Sequence, residues 1–348
     1  MRAYQVVKYK SPIELRDVPD PQLGPTDVLV EVHATGLNQL DEKVRAGEFK
    51  PLLPYRAPFV LGHDVAGKVL AIGSEVTAFA VGDEVWSRPR DGRIGTFAER
   101  IAIDEGDVAR RPTSITMLEA GSLPLVALTA WQALVEIGKV RAGQKVLIHG
   151  GTGGVGTIAI QLAKHLGATV ATTVSSANAD FARELGADLV IDYRSEQFED
   201  VLSDYDLVLD GLGAAHVLKS LQVLKRGGTV IGINGPPTRA FASQARLNFL
   251  LRGVFSLLSL KVRRAAQRRG GRYVFLFMRA SGEQLGQIGA LIDSGALRPV
   301  VGKAIDFEEL PEALGRIGAD GTRGKTVATV LRSTNSSSNN HPATRNQP

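Results

Sequence analysis

One stretch limits what this chain can fold into more than any other. In Lys145-Val-Leu-Ile-His-Gly-Gly-Thr-Gly-Gly-Val-Gly156 an apolar strand runs into glycines and then into the helix-like Thr157-Ile-Ala-Ile-Gln-Leu-Ala-Lys164. Gly151, Gly153 and Gly156 keep the G-x-G-x-x-G spacing. The first permits a tight turn, the second lets backbone approach a pyrophosphate, and the third lets helix and strand pack closely. The helix start then offers unpaired N–H groups to phosphate. The loop alone is weak evidence, but here a strand precedes it, a helix follows, and further strand–helix repeats lie downstream. Gly151, Thr152, Gly153, Gly154, Val155 and Gly156 are therefore the expected phosphate-binding residues of a dinucleotide site.

A chain of 348 residues is expected to form two domains. Residues 1–122 read as short strands with turn punctuation (28–34, 65–72, 82–86 and 96–103), which suits an antiparallel, barrel-like region. Apolar strands then alternate with helices at 155–166, 179–185 and 215–224, a pattern that predicts a parallel, doubly wound sheet and hence an α/β protein. The closing stretch offers a helix at 282–294, a strand at 299–301, a helix at 307–317 and a strand at 325–331. It is expected to rejoin the first region, giving a discontinuous domain (1–122 and 273–331) around an inserted one (123–272). The polar tail, 333–348, is expected to be disordered.

The chain has no cysteine, which excludes disulfides, thiolate metal sites, iron–sulfur clusters and a cysteine nucleophile. Redox chemistry would have to come from a bound cofactor. Of 41 Lys and Arg residues, nine lie in 239–272, where Asp and Glu are missing; the remaining 32 face 36 acids, so no nucleic-acid partner is indicated. The N-terminal residues show neither an apolar signal core nor a transit-like stretch, and a cytoplasmic location is the expectation. After the second parallel strand the chain reads Thr172-Thr-Val-Ser-Ser-Ala-Asn178. A carboxylate there would bind the ribose hydroxyls of NAD and repel a 2′-phosphate; serines instead favour NADPH.

Several separated motifs carry a resemblance: Gly36-Leu-Asn-Gln-Leu-Asp41, Gly62-His-Asp-Val-Ala-Gly67, Val81-Gly-Asp-Glu-Val85, Gly95-Thr-Phe-Ala-Glu99, Leu128-Thr-Ala-Trp-Gln-Ala133, the glycine loop, Leu185-Gly-Ala-Asp188 with Ile191-Asp-Tyr193, and Gly324-Lys-Thr-Val327. In this order they resemble the medium-chain dehydrogenase/reductase superfamily, and within it the zinc-free quinone oxidoreductase branch that includes the zeta-crystallins; the basic, apolar insert at 246–272 ahead of Tyr273 to Met278 resembles the mitochondrial reticulon-interacting oxidoreductases. The resemblance implies a GroES-like antiparallel barrel plus a Rossmann domain with the active site between them. It also implies a homodimer and NADPH-dependent reduction of a small hydrophobic quinone or α,β-unsaturated carbonyl.

The same resemblance tests metal chemistry. Zinc-dependent relatives place a cysteine, a histidine and a cysteine where this chain has Asn38, His63 and Leu125. One ligand in three cannot hold a catalytic zinc, which needs three protein ligands. Asn38, Tyr55 and His63 become candidates to polarise the acceptor oxygen, His63 being either a structural hydrogen-bonding residue or a proton relay. Thr129 matches the threonine that meets the nicotinamide. Ser175, Ser176 and Tyr193 match the 2′-phosphate region, where Asn178 stands in place of a common lysine and Arg183 or Arg194 would compensate. Gly211, Leu212, Ile233, Asn234, Phe277 and Met278 are expected to contribute backbone to the cleft. Lys325 resembles a phosphate-binding lysine, or else is a strand-edge lysine facing water.

Residues 246–272 repeat Leu and Val at helical spacing with Arg and Lys between them. They fit a helix pair over the cleft or a subunit interface, or a peripheral membrane contact. A zinc-type alcohol dehydrogenase and a non-catalytic NADPH-binding scaffold are the alternative readings.

Overall fold

The computed structural model describes residues 1–318, 321 and 323–331. Asp27–Gly36 shows how the antiparallel part forms. Val28, Val30, Val32 and Ala34 are buried, whereas Glu31 and His33 between them are partly exposed, the alternation of a strand with one face on a core. It pairs antiparallel with Val65–Ile72, Arg100–Asp104 and Lys325–Thr329, at the centre of a seven-stranded sheet that also holds Glu84–Ser87, Val108–Arg110 and Val301–Asp306. The last of these runs parallel to Lys325–Thr329.

The second sheet has six parallel strands in the spatial order Leu189–Asp192, Thr169–Val174, Lys145–His149, Tyr205–Asp210, Leu224–Gly232, Arg272–Phe275. Val146, Leu147 and Ile148 are wholly buried, as in a strand covered by helices on both faces. Strand order reverses at Lys145–His149, so the crevice beyond its C-terminal end, where the glycine loop begins, is the topological switch point that receives ligands in such sheets.

Both expected architectures are present, an antiparallel sheet and a doubly wound parallel one. Some boundaries differ. Arg272–Phe275 is the sixth parallel strand, so the chain leaves that sheet after Phe275 rather than at 272. The strand expected at 299–301 runs instead over Val301–Asp306. Pro124–Trp131, a helix the sequence did not announce, has six of its residues buried, including its proline and Thr129; a helix apolar all round has no stripe for a periodicity argument to detect. The basic stretch forms two helices, Phe249–Leu258 and Leu260–Arg268, which meet at the buried Ser259. The expected tail lies outside the described residues.

The two sheets meet along the glycine loop. Gly324 donates its N–H to the Thr152 carbonyl at 2.8 Å and forms a parallel bridge with Gly153. The closing strand of one sheet is thus tied to the phosphate loop of the other.

Candidate active site

A cavity of about 480 Å³ opens between the sheets. Gly153, Gly154, Val155 and Gly156 form part of its wall, with Gly211, Leu212, Ile233 and Asn234 from the ends of the next parallel strands. Asn38, Thr129, Phe277, Met278 and Lys325 complete the expected residues that line it. Gly151 and Thr152 are buried behind that surface. The loop needs its glycines: a side chain at Gly156 would meet the Gly150 carbonyl, and one at Gly151 would meet Thr172. The backbone therefore packs closely, and a pyrophosphate can approach the start of helix Gly154–His165.

Beside the loop lies a buried polar network. Asn38 Nδ2 donates to Asp64 Oδ2 at 2.9 Å and to the Gly36 carbonyl at 3.3 Å. The Lys325 ammonium donates to the Leu37 carbonyl at 2.6 Å and to Asn38 Oδ1, and lies 3.3 Å from Asp64 Oδ2. Asp64 Oδ1 accepts from the Leu125 N–H at 2.7 Å. Burial pushes the Asp64 carboxyl up from its ordinary range, while Lys325, Asn38 and the Leu125 N–H oppose that shift. Lys325 is 6% exposed, so it is not a strand-edge lysine facing water.

Asn38 lines the cavity, but both of its amide hydrogens are committed to Asp64 and Gly36; it organises Lys325 rather than pointing a free donor at an acceptor. His63 is completely buried with Nδ1 2.5 Å from Asp41 Oδ1, and among the described residues its Nε2 has no partner. It is not among the cavity-lining residues. Neither is Tyr55, whose hydroxyl accepts from the Gly92 N–H at 3.1 Å and whose ring stacks on Phe59. Burial pushes the Tyr55 phenol up to about 12. The geometry thus corrects the expectation that these two polarise the acceptor.

Zinc does not fit here. His63 Nε2 is one available ligand atom, but Asn38 brings an amide already in use, Leu125 brings no ligand atom, and the Lys325 ammonium would face the ion. A separate grouping, His149, Asp210 and His216, lies beside the glycine loop. His149 is engaged by Thr173 and Ser220, and Asp210 by Leu212, Ser220 and His216.

The expected 2′-phosphate residues lie outside the cavity wall, beyond the ends of the second and third parallel strands. Ser175 is buried beside Asn178, Ser176 is exposed, and Tyr193 is half exposed with the Arg194 guanidinium 5.8 Å from its ring. Arg183 is paired with Asp180. The residue missed is Arg323, which reaches over from the other sheet: its Nε donates to Asn178 Oδ1 at 2.7 Å and its Nη2 to the Ala177 carbonyl at 2.8 Å. No local pattern marks it, because its place depends on the Gly324–Gly153 bridge. Thr129 Oγ1 donates to the Leu125 carbonyl, within its own helix. Lys43 Nζ spans the cleft to Asn234 Oδ1 at 2.5 Å.

With this geometry in view, residues 24–113 match the alcohol dehydrogenase GroES-like domain and residues 185–327 match the zinc-binding dehydrogenase family. The chain is 34% identical over 328 residues to the mitochondrial NAD(P)H oxidoreductase RTN4IP1 of Mus musculus, covering 88% of this chain and 82% of that protein. The chain belongs to the medium-chain dehydrogenase/reductase superfamily. Within this superfamily it is 33% identical to the chloroplastic NADPH-dependent alkenal/one oxidoreductase of Arabidopsis thaliana, over 88% of this chain and 73% of that one. The quinone oxidoreductase structure from Coxiella burnetii superposes with a TM-score of 0.83 at 30% identity, covering 95% of this chain and 99% of its own. The superfamily fold accounts for both sheets.

Proposed function

We propose that this chain is a zinc-independent, NADPH-dependent oxidoreductase that reduces quinones or α,β-unsaturated carbonyls. Relatives bear the names NAD(P)H oxidoreductase, NADPH-dependent alkenal/one oxidoreductase and quinone oxidoreductase. One observation carries the reading: the glycine loop shares a single cavity with Leu40, Phe49, Leu125 and Phe277, and the positions of the zinc ligands hold Asn38 and Leu125 instead.

Gly153 to Gly156 would hold the pyrophosphate. Thr129, Gly211 and Ile233 would border the nicotinamide, and Ser175 and Arg323 would hold the 2′-phosphate. NADPH, when bound, supplies the hydride. The protein orients the acceptor against the apolar wall, where Phe49 and Phe277 lie with ring centroids 5.8 Å apart, and excludes water from it. The hydrogens of Asn38 and Lys325 are engaged within the network. An acceptor that spreads developing charge over its own conjugated system suits this wall better than one that needs a strong electrophile. The proton would come from solvent after hydride transfer, as the reduced acceptor leaves the apolar wall. The free edge of the parallel sheet, Arg272–Phe275, offers a surface for a homodimer.

Steady-state NADPH oxidation against a panel of quinones, enones and simple alcohol/aldehyde pairs tests the reading. Turnover is expected with the conjugated acceptors. NADP-linked ethanol oxidation without quinone or enone reduction would overturn it.

A further inference from the structure

The two helices of the basic stretch fill only part of their surface by packing. In Phe249–Leu258, Phe255 is buried and stacks towards Phe241, with ring centroids 6.4 Å apart. On the other side Phe249 is 79% exposed, Leu250 65%, Val254 49%, Leu257 72% and Leu258 57%. At about 100° per residue these five fall within one half of the helix, with Phe255 across from them. Single exposed apolar residues are ordinary, but five on one face form a contiguous patch that needs an explanation.

The adjoining charge is of one sign. From 211 to 282 the sequence has no Asp or Glu, and Arg246, Lys261, Arg264, Arg268, Arg269 and Arg272 are all exposed. Among the described residues none of these six forms a salt bridge. Arg269 and Arg272 donate to Gln222, Thr229 and Ile137, but an apolar face flanked by cations without acidic partners matches a surface that is anionic outside and hydrocarbon inside. A nucleic acid would leave the exposed Phe and Leu side chains without a partner. A second copy pressed face to face would set two cationic strips against each other. Among the described residues no helix is long and apolar enough to cross a membrane, so the fit is to a bilayer surface.

We propose that helix Phe249–Leu258 is a docking surface for an anionic lipid bilayer, its apolar face entering the headgroup boundary while the cations of the following helix meet the lipid phosphates. The surface adjoins the cavity: Phe241 touches both Phe255 and the cavity-lining Phe277, at 6.4 and 5.7 Å between centroids. Docking would set the cleft near the membrane. Delivery of a lipid-dissolved acceptor along that route rests on the reductase reading; the docking itself does not.

Co-sedimentation of the full chain with vesicles tests the proposal. Phosphatidylcholine vesicles with about 30 mol% phosphatidylserine should bind it at least tenfold more tightly than phosphatidylcholine alone, and added salt should weaken the binding. Leu250→Asp with Leu257→Asp, and separately Arg264→Glu with Arg268→Glu, should each reduce binding at least tenfold while NADPH turnover of a water-soluble acceptor is unchanged. Absent binding, or equal binding to both vesicle types, overturns it. So does conversion of a lipid-free dimer to monomer by the Leu250→Asp/Leu257→Asp pair, which would make the face a subunit interface. Vesicle binding without turnover of any acceptor would leave the docking surface standing and remove the reductase reading.

Discussion

Lys325 Nζ lies 3.3 Å from Asp64 Oδ2, and both side chains are buried, with Asn38 bonded to each. A buried pair of this kind adds little by itself, yet removing one member strands the other's charge away from water. Lys325→Met should therefore destabilise the cofactor-free protein by about 3–5 kcal/mol, and adding Asp64→Asn should recover part of that loss. Urea melts of the two single variants and the double variant would check this; additive losses would mean that the pair is not coupled.

Asn38→Ala removes the amide that accepts from Lys325 and donates to Asp64. Because the lysine borders the cavity, kcat/KM for a quinone should fall roughly tenfold to a hundredfold, the scale of one or two hydrogen bonds in a dry site. Steady-state kinetics at saturating NADPH give the value, and an unchanged kcat/KM would refute a positioning role.

Cofactor preference should reside partly in Arg323, which already bonds Asn178 and the Ala177 carbonyl beside Ser175. A charge-assisted hydrogen bond to a phosphate contributes about 1.5–3 kcal/mol. Arg323→Ala should weaken NADPH binding by about tenfold to a hundredfold and leave NADH binding nearly unchanged. Fluorescence titration with both nucleotides separates this from general damage to the site, which would weaken both equally.

Metal removal should have no effect. Asn38 and Leu125 cannot replace two zinc ligands, so dialysis against EDTA is expected to leave quinone or enone turnover intact. Loss of activity with recovery on adding zinc would refute this reading of the site.

Burial pushes the His149 imidazole down to about 3 from an ordinary value of 6.5. Between these values the unfolded chain binds a proton that the folded chain does not, so this contribution to stability is complete above about pH 6.5 and declines as pH falls towards 3. At about 1.4 kcal/mol per unit, roughly 2 kcal/mol is lost between pH 6.5 and pH 5. Stability of His149→Asn over that range should fall less steeply than that of the parent; parallel curves would show that His149 titrates normally.

Much of the architecture was determined by the sequence itself because it was encoded locally. Gly151, Gly153 and Gly156 between an apolar strand and a helix mark a phosphate loop, and at Gly151 and Gly156 the close packing leaves no room for a side chain. Alternation around Val28, Val30 and Val32 marks a half-buried strand. The lack of cysteine excludes a thiolate zinc centre before any fold is known, and the resemblance puts Asn38 and Leu125 where zinc-dependent relatives carry cysteines. What tertiary structure alone decided are contacts between residues far apart in sequence. Arg323 meets Asn178 across 145 positions, and Lys325 meets Asn38 across 287. Arg272–Phe275 becomes a strand of the parallel sheet because the edge of Leu224–Gly232 accepts it, which four residues cannot signal alone. Tyr55 and His63 stood behind Asn38 as polar candidates in the sequence, and packing turned them towards Gly92 and Asp41, off the cavity wall. Residue type and spacing state what a side chain can do; which partner and which cavity it meets depends on how the two sheets close on one another.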